Sequence, residues 1–196
     1  MARVRYWIGF AAVLSMAALF MTPTVQAQSV EESKASVEAM PDDPPRHYNL
    51  GRAFFKAGQF KESIASFEKA IELKEDKRDY YNMGLAQQKV SSNSAAIKSF
   101  KKAVGIDAGY ADAHAALGGA YRKTKNTTSA IRAYKAAIKI NPKKGTWHYN
   151  LGILYQTKED YKNAIPAYEA YLKLRPKARN AKSIRDIVAQ MKDAIK

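Results

Sequence analysis

From Pro44 to Ala178, apolar residues recur three and four positions apart in short stripes, and polar turn-formers interrupt the stripes at regular intervals. Leu50, Gly51 and Phe54 make one stripe; Ile64, Phe67 and Ile71 make the next. Such spacings bring side chains onto one face of an α-helix, so the pattern predicts two amphipathic helices. Between them stands "KAGQ", and "VSSNS", "TKNTT" and "TKED" hold the corresponding places further on. Small and polar residues of this kind close tight connections. The prediction is a helical hairpin, written four times.

The copies are in register. "HYNLG" occurs at 47–51 and again at 148–152, with "YYNMG" at 80–84 and "HAALG" at 114–118 between them, in steps of 33, 34 and 34 residues. The units run 44–76, 77–110, 111–144 and 145–178. Each places a glycine (Gly51, Gly84, Gly118, Gly152), then a small residue (Ser63, Ala96, Ala130, Ala164), then an aromatic four later (Phe67, Phe100, Tyr134, Tyr168). Glycine and alanine where two stripes cross let the backbones approach, and the aromatics fill the space on either side. One hairpin cannot bury its apolar face alone, whereas four stacked hairpins share a continuous core.

The flanks read differently. Residues 1–27 begin with Arg3 and Arg5, run apolar from Tyr6 to Met21, break at Pro23 and end in "VQA". That is the pattern of a cleaved signal peptide. The run is shorter than the roughly 20 residues a spanning helix needs, so cleavage rather than anchoring is expected. The mature chain is then exported, to the periplasm or beyond, with no transmembrane helix. Residues 28–43 carry five acids and one lysine and are expected to form a flexible polar tether, with a transient helix around Val30–Met40. Residues 179–196 align Ile184, Ile187, Val188, Met191 and Ile195 on one face, as suits a helix capping the last unit.

The Leu-Gly column, the aromatic three or four residues on, the A-x3-F pairs and the closing Pro142 and Pro176, at a period of 34, resemble the tetratricopeptide repeat family. The resemblance covers Pro44 to Ala178. It implies an all-α, right-handed solenoid of hairpins whose first helices line a concave groove that binds peptides. Transferred to this sequence, the groove would be lined by Tyr48, Arg52, Phe55 and Lys56 in the first unit and by Tyr81, Leu85 and Lys89 in the second. Arg122 and Lys123 would follow in the third, and Tyr149 and Ile153 in the fourth. Some relatives grip a terminal carboxylate with paired Lys and Asn; the corresponding sites here carry Tyr48, Arg52, Leu85 and Ala115, so that clamp is not expected.

Charge and composition narrow the function. The chain has 33 Lys and Arg against 18 Asp and Glu, and from Pro44 onward the balance is 30 basic to 13 acidic. Lys98, Lys101, Lys102, Arg132, Lys135 and Lys139 fall on the second helices, hence on the convex side, where they could meet an anionic envelope component or membrane surface. An exported chain meets lipid headgroups, polysaccharides and acidic proteins before nucleic acid, which is not the expected partner. There is no cysteine, which removes disulfides, thiolate metal sites and cysteine nucleophiles. The three histidines, His47, His114 and His148, share one repeat column, too far apart to meet on one metal ion. No catalytic set, phosphate loop, metal site or cofactor site is expected. The sequence therefore reads as a non-enzymatic scaffold for a protein or peptide partner. Polyanion or membrane binding through the lysines, or a place in a secretion, export or wall-assembly complex, are the alternatives.

Overall fold

The computed structural model describes residues 25–196, which form ten α-helices and, among the described residues, no strand. The expected leader lies outside these residues except for its last positions, which open the first helix. The helices are α1 (Val25–Ala39), α2 (Pro44–Lys56), α3 (Phe60–Leu73), α4 (Lys77–Lys89), α5 (Asn93–Ile106), α6 (Ala111–Lys123), α7 (Thr127–Ile140), α8 (Gly145–Thr157), α9 (Tyr161–Leu174) and α10 (Ala181–Ala194). The pairs α2/α3, α4/α5, α6/α7 and α8/α9 are hairpins, and each packs against the next. No described helix is long and apolar enough to cross a membrane.

Every hairpin turns in the same way. The first helix ends with one residue in the left-handed region: Gly58 (φ 78°), Ser91 (61°), Lys125 (59°) and Glu159 (57°). The next residue's N–H then reaches back to a carbonyl five positions earlier, as Gln59 does to Phe54, Ser92 to Gln87, Asn126 to Tyr121 and Asp160 to Tyr155. This arrangement satisfies the orphan carbonyls at a helix end. Only the first turn uses the residue type that enters this region without steric cost.

Within each hairpin the repeated glycine lies directly under the repeated aromatic ring. A methyl group built on Gly51 would stand 2.8 Å from the Phe67 ring, one on Gly84 2.5 Å from Phe100, one on Gly118 2.8 Å from Tyr134 and one on Gly152 2.7 Å from Tyr168. The rings cannot retreat: Phe67 and Phe100 are wholly buried and Tyr168 nearly so. Polar groups in the same seam are paired. Ser63 donates its hydroxyl to the Gly51 carbonyl at 2.8 Å, and Ser99 donates to Gln87 Oε1 at 2.7 Å. The latter bond explains why a buried glutamine stands where other units carry Phe54, Tyr121 or Tyr155.

The histidine column has a mechanical role. His47, His114 and His148 each donate from Nε2 to a carbonyl six residues upstream, Pro41, Ala108 and Pro142, at 2.6, 3.0 and 2.8 Å. Tyr80, in the same column, donates its hydroxyl to Glu75 Oε1 at 2.6 Å. Each thus ties a first helix to the loop that delivers it.

The two ends are covered by helices. In place of the flexible tether expected for residues 28–43, the structure has α1 laid on α2. Val30 is buried against Ala53 and Phe54, Lys34 stands 5.9 Å over the Phe54 ring, and Arg46 donates to the Ser36 carbonyl and hydroxyl. The contact uses one valine and a guanidinium rather than an apolar stripe, which is why periodicity does not reveal it. At the other end α10 buries Ile184, Val188 and Met191 against Ala164, Ile165, Tyr168 and Tyr171 of α9, while Ile195 stays 45% exposed. The Tyr171 hydroxyl donates to Asn180 at the start of α10.

Two substitutions in one hairpin, on α4 and on α5, should separate glycine's packing role from its helix propensity. Gly84→Ala forces a methyl into the Phe100 ring and is expected to cost about 1–3 kcal/mol in urea unfolding, despite a propensity gain of about 1 kcal/mol. Gly105→Ala meets nothing within 4 Å and should stabilise α5. Equal effects would show that the ring contact is not the constraint. Lys125→Gly relieves a left-handed lysine and should raise stability by up to about 1 kcal/mol in the same assay.

Candidate functional site

The first helices lie on the inside of the stack. α2 approaches α4 and α4 approaches α6, closer than successive second helices come to each other. On this inner face Tyr48, Tyr81 and Tyr149 form a row. Each is half-buried, with its ring 5.9, 6.0 and 6.1 Å from the buried aromatic of its own hairpin, Phe67, Phe100 and Tyr168. Tyr81 also leans on Tyr110, and Tyr149 on Tyr171. Leu85 and Ile153 are partly buried beside them. The tyrosines are thus wedges in the repeat seam that leave one edge to solvent.

The row is interrupted in the third unit. Where the others carry tyrosine, α6 has Ala115, and one turn on, where they carry Arg52, Leu85 and Ile153, it has Gly119. Beside Ala115 lies a notch of about 250 Å³, lined also by Tyr81, Asp112, Tyr134, Trp147 and Asn150. Tyr134 is exposed to this space from beneath: its hydroxyl stands 3.5 Å from where a side chain on Gly119 would begin. Burial pushes the Tyr134 hydroxyl pKa up, and the Arg122 guanidinium beside it pulls the other way. The notch therefore has aromatic walls and a polar rim. The asparagine column beside the glycines, which the sequence offers as a holder of peptide backbone, supplies Asn150, whereas Tyr134, Trp147 and Asp112 were missed; the signal available for them was the pair of small residues breaking two columns.

A second cavity, of about 630 Å³, opens between the first two units, with Tyr48, Asn49, Arg52, Lys74, Arg78 and Asp79 among its lining residues. Arg52 and Arg78 each bring a guanidinium within 5.6 Å of the Tyr48 ring centroid. Asn82 links the units, donating to the Arg78 carbonyl at 2.8 Å and to the Tyr48 hydroxyl at 3.4 Å. Asn49 and Asn150, in the same column, face the two cavities instead. Two carboxylates here are paired, Asp43 with Arg46 and Asp76 with Arg78. Asp79 is 5% exposed and makes no ion pair among the described residues. Burial, reinforced by Asp76 and opposed by Arg78, raises its pKa to about 6.

The remaining expected groove residues are not gathered into either cavity. Phe55 packs edge-on against Phe60, and Lys89 stands 5.9 Å over that same ring, so both are drawn to the hairpin turns. Lys56 and Lys123 are exposed at the ends of their helices. The six cations assigned to the convex side are all exposed, on α5 (Lys98, Lys101, Lys102) and α7 (Arg132, Lys135, Lys139). Among the described residues no group of three His, Cys, Asp or Glu is placed to share a metal ion.

This stack of glycine-and-aromatic hairpins with an aromatic inner face belongs to a known class. Tetratricopeptide repeat models match residues 44–77, 80–110 and 148–178, and a TPR repeat model matches 118–159. The chain belongs to the tetratricopeptide repeat family. Solved structures agree in fold. A crystal structure of MamA is 23% identical, covers 80% of this chain and 98% of its own, and superposes with a TM-score of 0.73. YrrB, described as a TPR protein with an unusual peptide-binding site, is 18% identical over 82% of this chain and 84% of that one, with a TM-score of 0.71. The C-terminal part of a TPR protein from Cytophaga hutchinsonii is 18% identical over 86% and 67%, with a TM-score of 0.75. No curated protein matches the sequence.

Asp79 yields a pH prediction. Its folded pKa lies above the unfolded value of 3.8, so between about pH 4 and 6 the native state binds more protons than the unfolded chain. Its contribution to stability therefore falls as pH rises through that window. Asp79→Asn should raise the melting temperature at pH 7 and leave it nearly unchanged at pH 4. A wild-type-like pH profile in the variant would show that Asp79 is not the titrating group.

Proposed function

We propose that this protein is a non-enzymatic interaction module of the cell envelope that holds an extended segment of a partner protein along its inner face. One side chain of that segment seats in the notch on α6. The observation that carries this reading is the notch beside Ala115. It interrupts the row of tyrosine wedges with a cavity the size of one large side chain, walled by Tyr81, Tyr134 and Trp147. Tyrosine and tryptophan surfaces of this kind concentrate binding energy. The polar rim of Asp112, Asn150 and the Tyr134 hydroxyl favours an occupant with an aromatic or aliphatic body and a hydrogen-bonding tip.

Support comes from the family, whose fold presents protein-interaction surfaces, and from the peptide-binding site attributed to YrrB on the same architecture. Export is supported by the basic start, apolar run and small-residue ending of residues 1–27, and by the absence of cysteine.

The test fills the notch. Ala115→Tyr restores the residue type found at the same place in the other three units, so the fold should survive with an unchanged melting temperature. Peptides selected from a random display library on the wild-type protein should bind this variant at least about tenfold more weakly, a loss of about 1.4 kcal/mol. Undiminished binding by the folded variant would remove the notch from the binding surface.

A further inference from the structure

We propose that the outer face of α5 and α7 docks on an anionic lipid bilayer. This face lies opposite the peptide groove and its role does not depend on that reading. On α5, Lys98, Lys101, Lys102 and Ile106 are all exposed and, at spacings of three and four, share one stripe. One repeat on, Arg132, Lys135, Ala136 and Ile140 take the same places on α7, with Lys139 where α5 has Gly105. Neither helix contains an acidic residue, and none of the six cations makes an ion pair among the described residues. Ile106 is 47% exposed and Ile140 41%, unusual for side chains of that size in a structure whose other isoleucines are mostly packed. Beside Ile106 a shallow cleft of about 550 Å³, floored by Gly105 and Ile106, is walled by the three lysines and Glu75.

The apolar place recurs in every unit, as Leu73, Ile106, Ile140 and Leu174, and Leu174 is 37% exposed, but the charge around it does not recur. The same places on α3 hold Ala65, Glu68, Lys69 and Leu73, and Lys69 is already paired with Glu72 at 3.2 Å. On α9 they hold Pro166, Glu169, Ala170 and Leu174, and Glu169 is paired with Lys192 of α10 at 2.7 Å. Only on α5 and α7, therefore, does this outer stripe carry cations with no carboxylate among them. Because first helices crowd together on the inside, the outer face bows outward, and a plane touches a bowed face at its middle. The cations coincide with the tangent zone and the carboxylates with the parts that curve away.

The apolar residues choose the occupant. A polysaccharide or nucleic-acid backbone offers anions but nothing for Ile106 and Ile140. A bilayer surface offers phosphates at one depth and acyl carbon just below. Lysine and arginine stems reach along such a boundary while their heads stay at the phosphates.

The experiment uses the full chain with vesicles of phosphatidylethanolamine containing phosphatidylglycerol, and vesicles of phosphatidylcholine alone as the uncharged comparison. Reversing four charges (Lys98→Glu, Lys101→Glu, Arg132→Glu, Lys135→Glu) should weaken binding to the anionic vesicles at least about a hundredfold. Ile106→Ser with Ile140→Ser should weaken it several-fold while leaving binding of dextran sulfate, a soluble polyanion, unchanged. Since the chain has no cysteine, a polarity-sensitive dye can be placed at one site. Attached through Ala136→Cys on α7 it should shift to the blue on anionic vesicles, and through Ala65→Cys on α3 it should not. All readouts compare variants of one chain, so an apolar leader common to them cancels. Equal dye responses at the two sites, or vesicle binding indifferent to the isoleucine changes, would overturn the lipid assignment. Capture of dextran sulfate without vesicle binding would assign the face to a soluble polyanion instead.

Discussion

The contact between a helical glycine and the face of a buried aromatic ring sets everything else in this molecule. The absence of a Cβ lets the second helix of each hairpin lay its ring flat on the first helix's backbone, a closer approach than any larger residue permits. That approach fixes how deeply the helices interlock, and hence where the tyrosines of the next column emerge. Tyr48, Tyr81 and Tyr149 rest on the outer edge of those same rings. The inner face is the far side of the core contact, so a change in the seam moves the row of tyrosines with it.

Departures from the repeat carry the individuality of the protein. A unit like the other three would place a tyrosine at Ala115 and a larger side chain at Gly119, and the inner face would then be a closed ridge. A unit with acids on its outer stripe, as α3 and α9 have, would carry no net positive charge there. The third unit is emptied on its inner side and, with the second, stripped of carboxylates on its outer side. The scaffold supplies position; the exceptions supply chemistry.

The same distinction explains what the sequence discloses. The hairpins were legible because glycine, alanine and aromatic residues return at fixed intervals, and each repetition confirms the others. The notch was written in the letters Ala115 and Gly119, but its walls come from Tyr81, Tyr134 and Trp147 on three different helices, and only packing brings them together. Phe55 and Lys89 read as groove residues from their column, yet Phe60 draws both to the hairpin turns. A transient helix was legible around Val30–Met40, but its packing on α2 was not, because that hold depends on one buried valine and on Arg46 reaching back across ten residues, and neither produces a period. The histidine column was visible as a column, while its hydrogen bonds to loop carbonyls depend on backbone positions that no side-chain pattern encodes.

In every hairpin the glycine and its ring are 16 residues apart. The contact that orders each unit is therefore local, closed by a short loop at small entropic cost and needing nothing from the rest of the chain to form. Such a molecule has no single late step at which distant segments must find each other. A chain delivered from its N-terminus can fold in the order it arrives, each hairpin offering the next a finished surface, and spends little time as an open chain with its apolar stripes exposed.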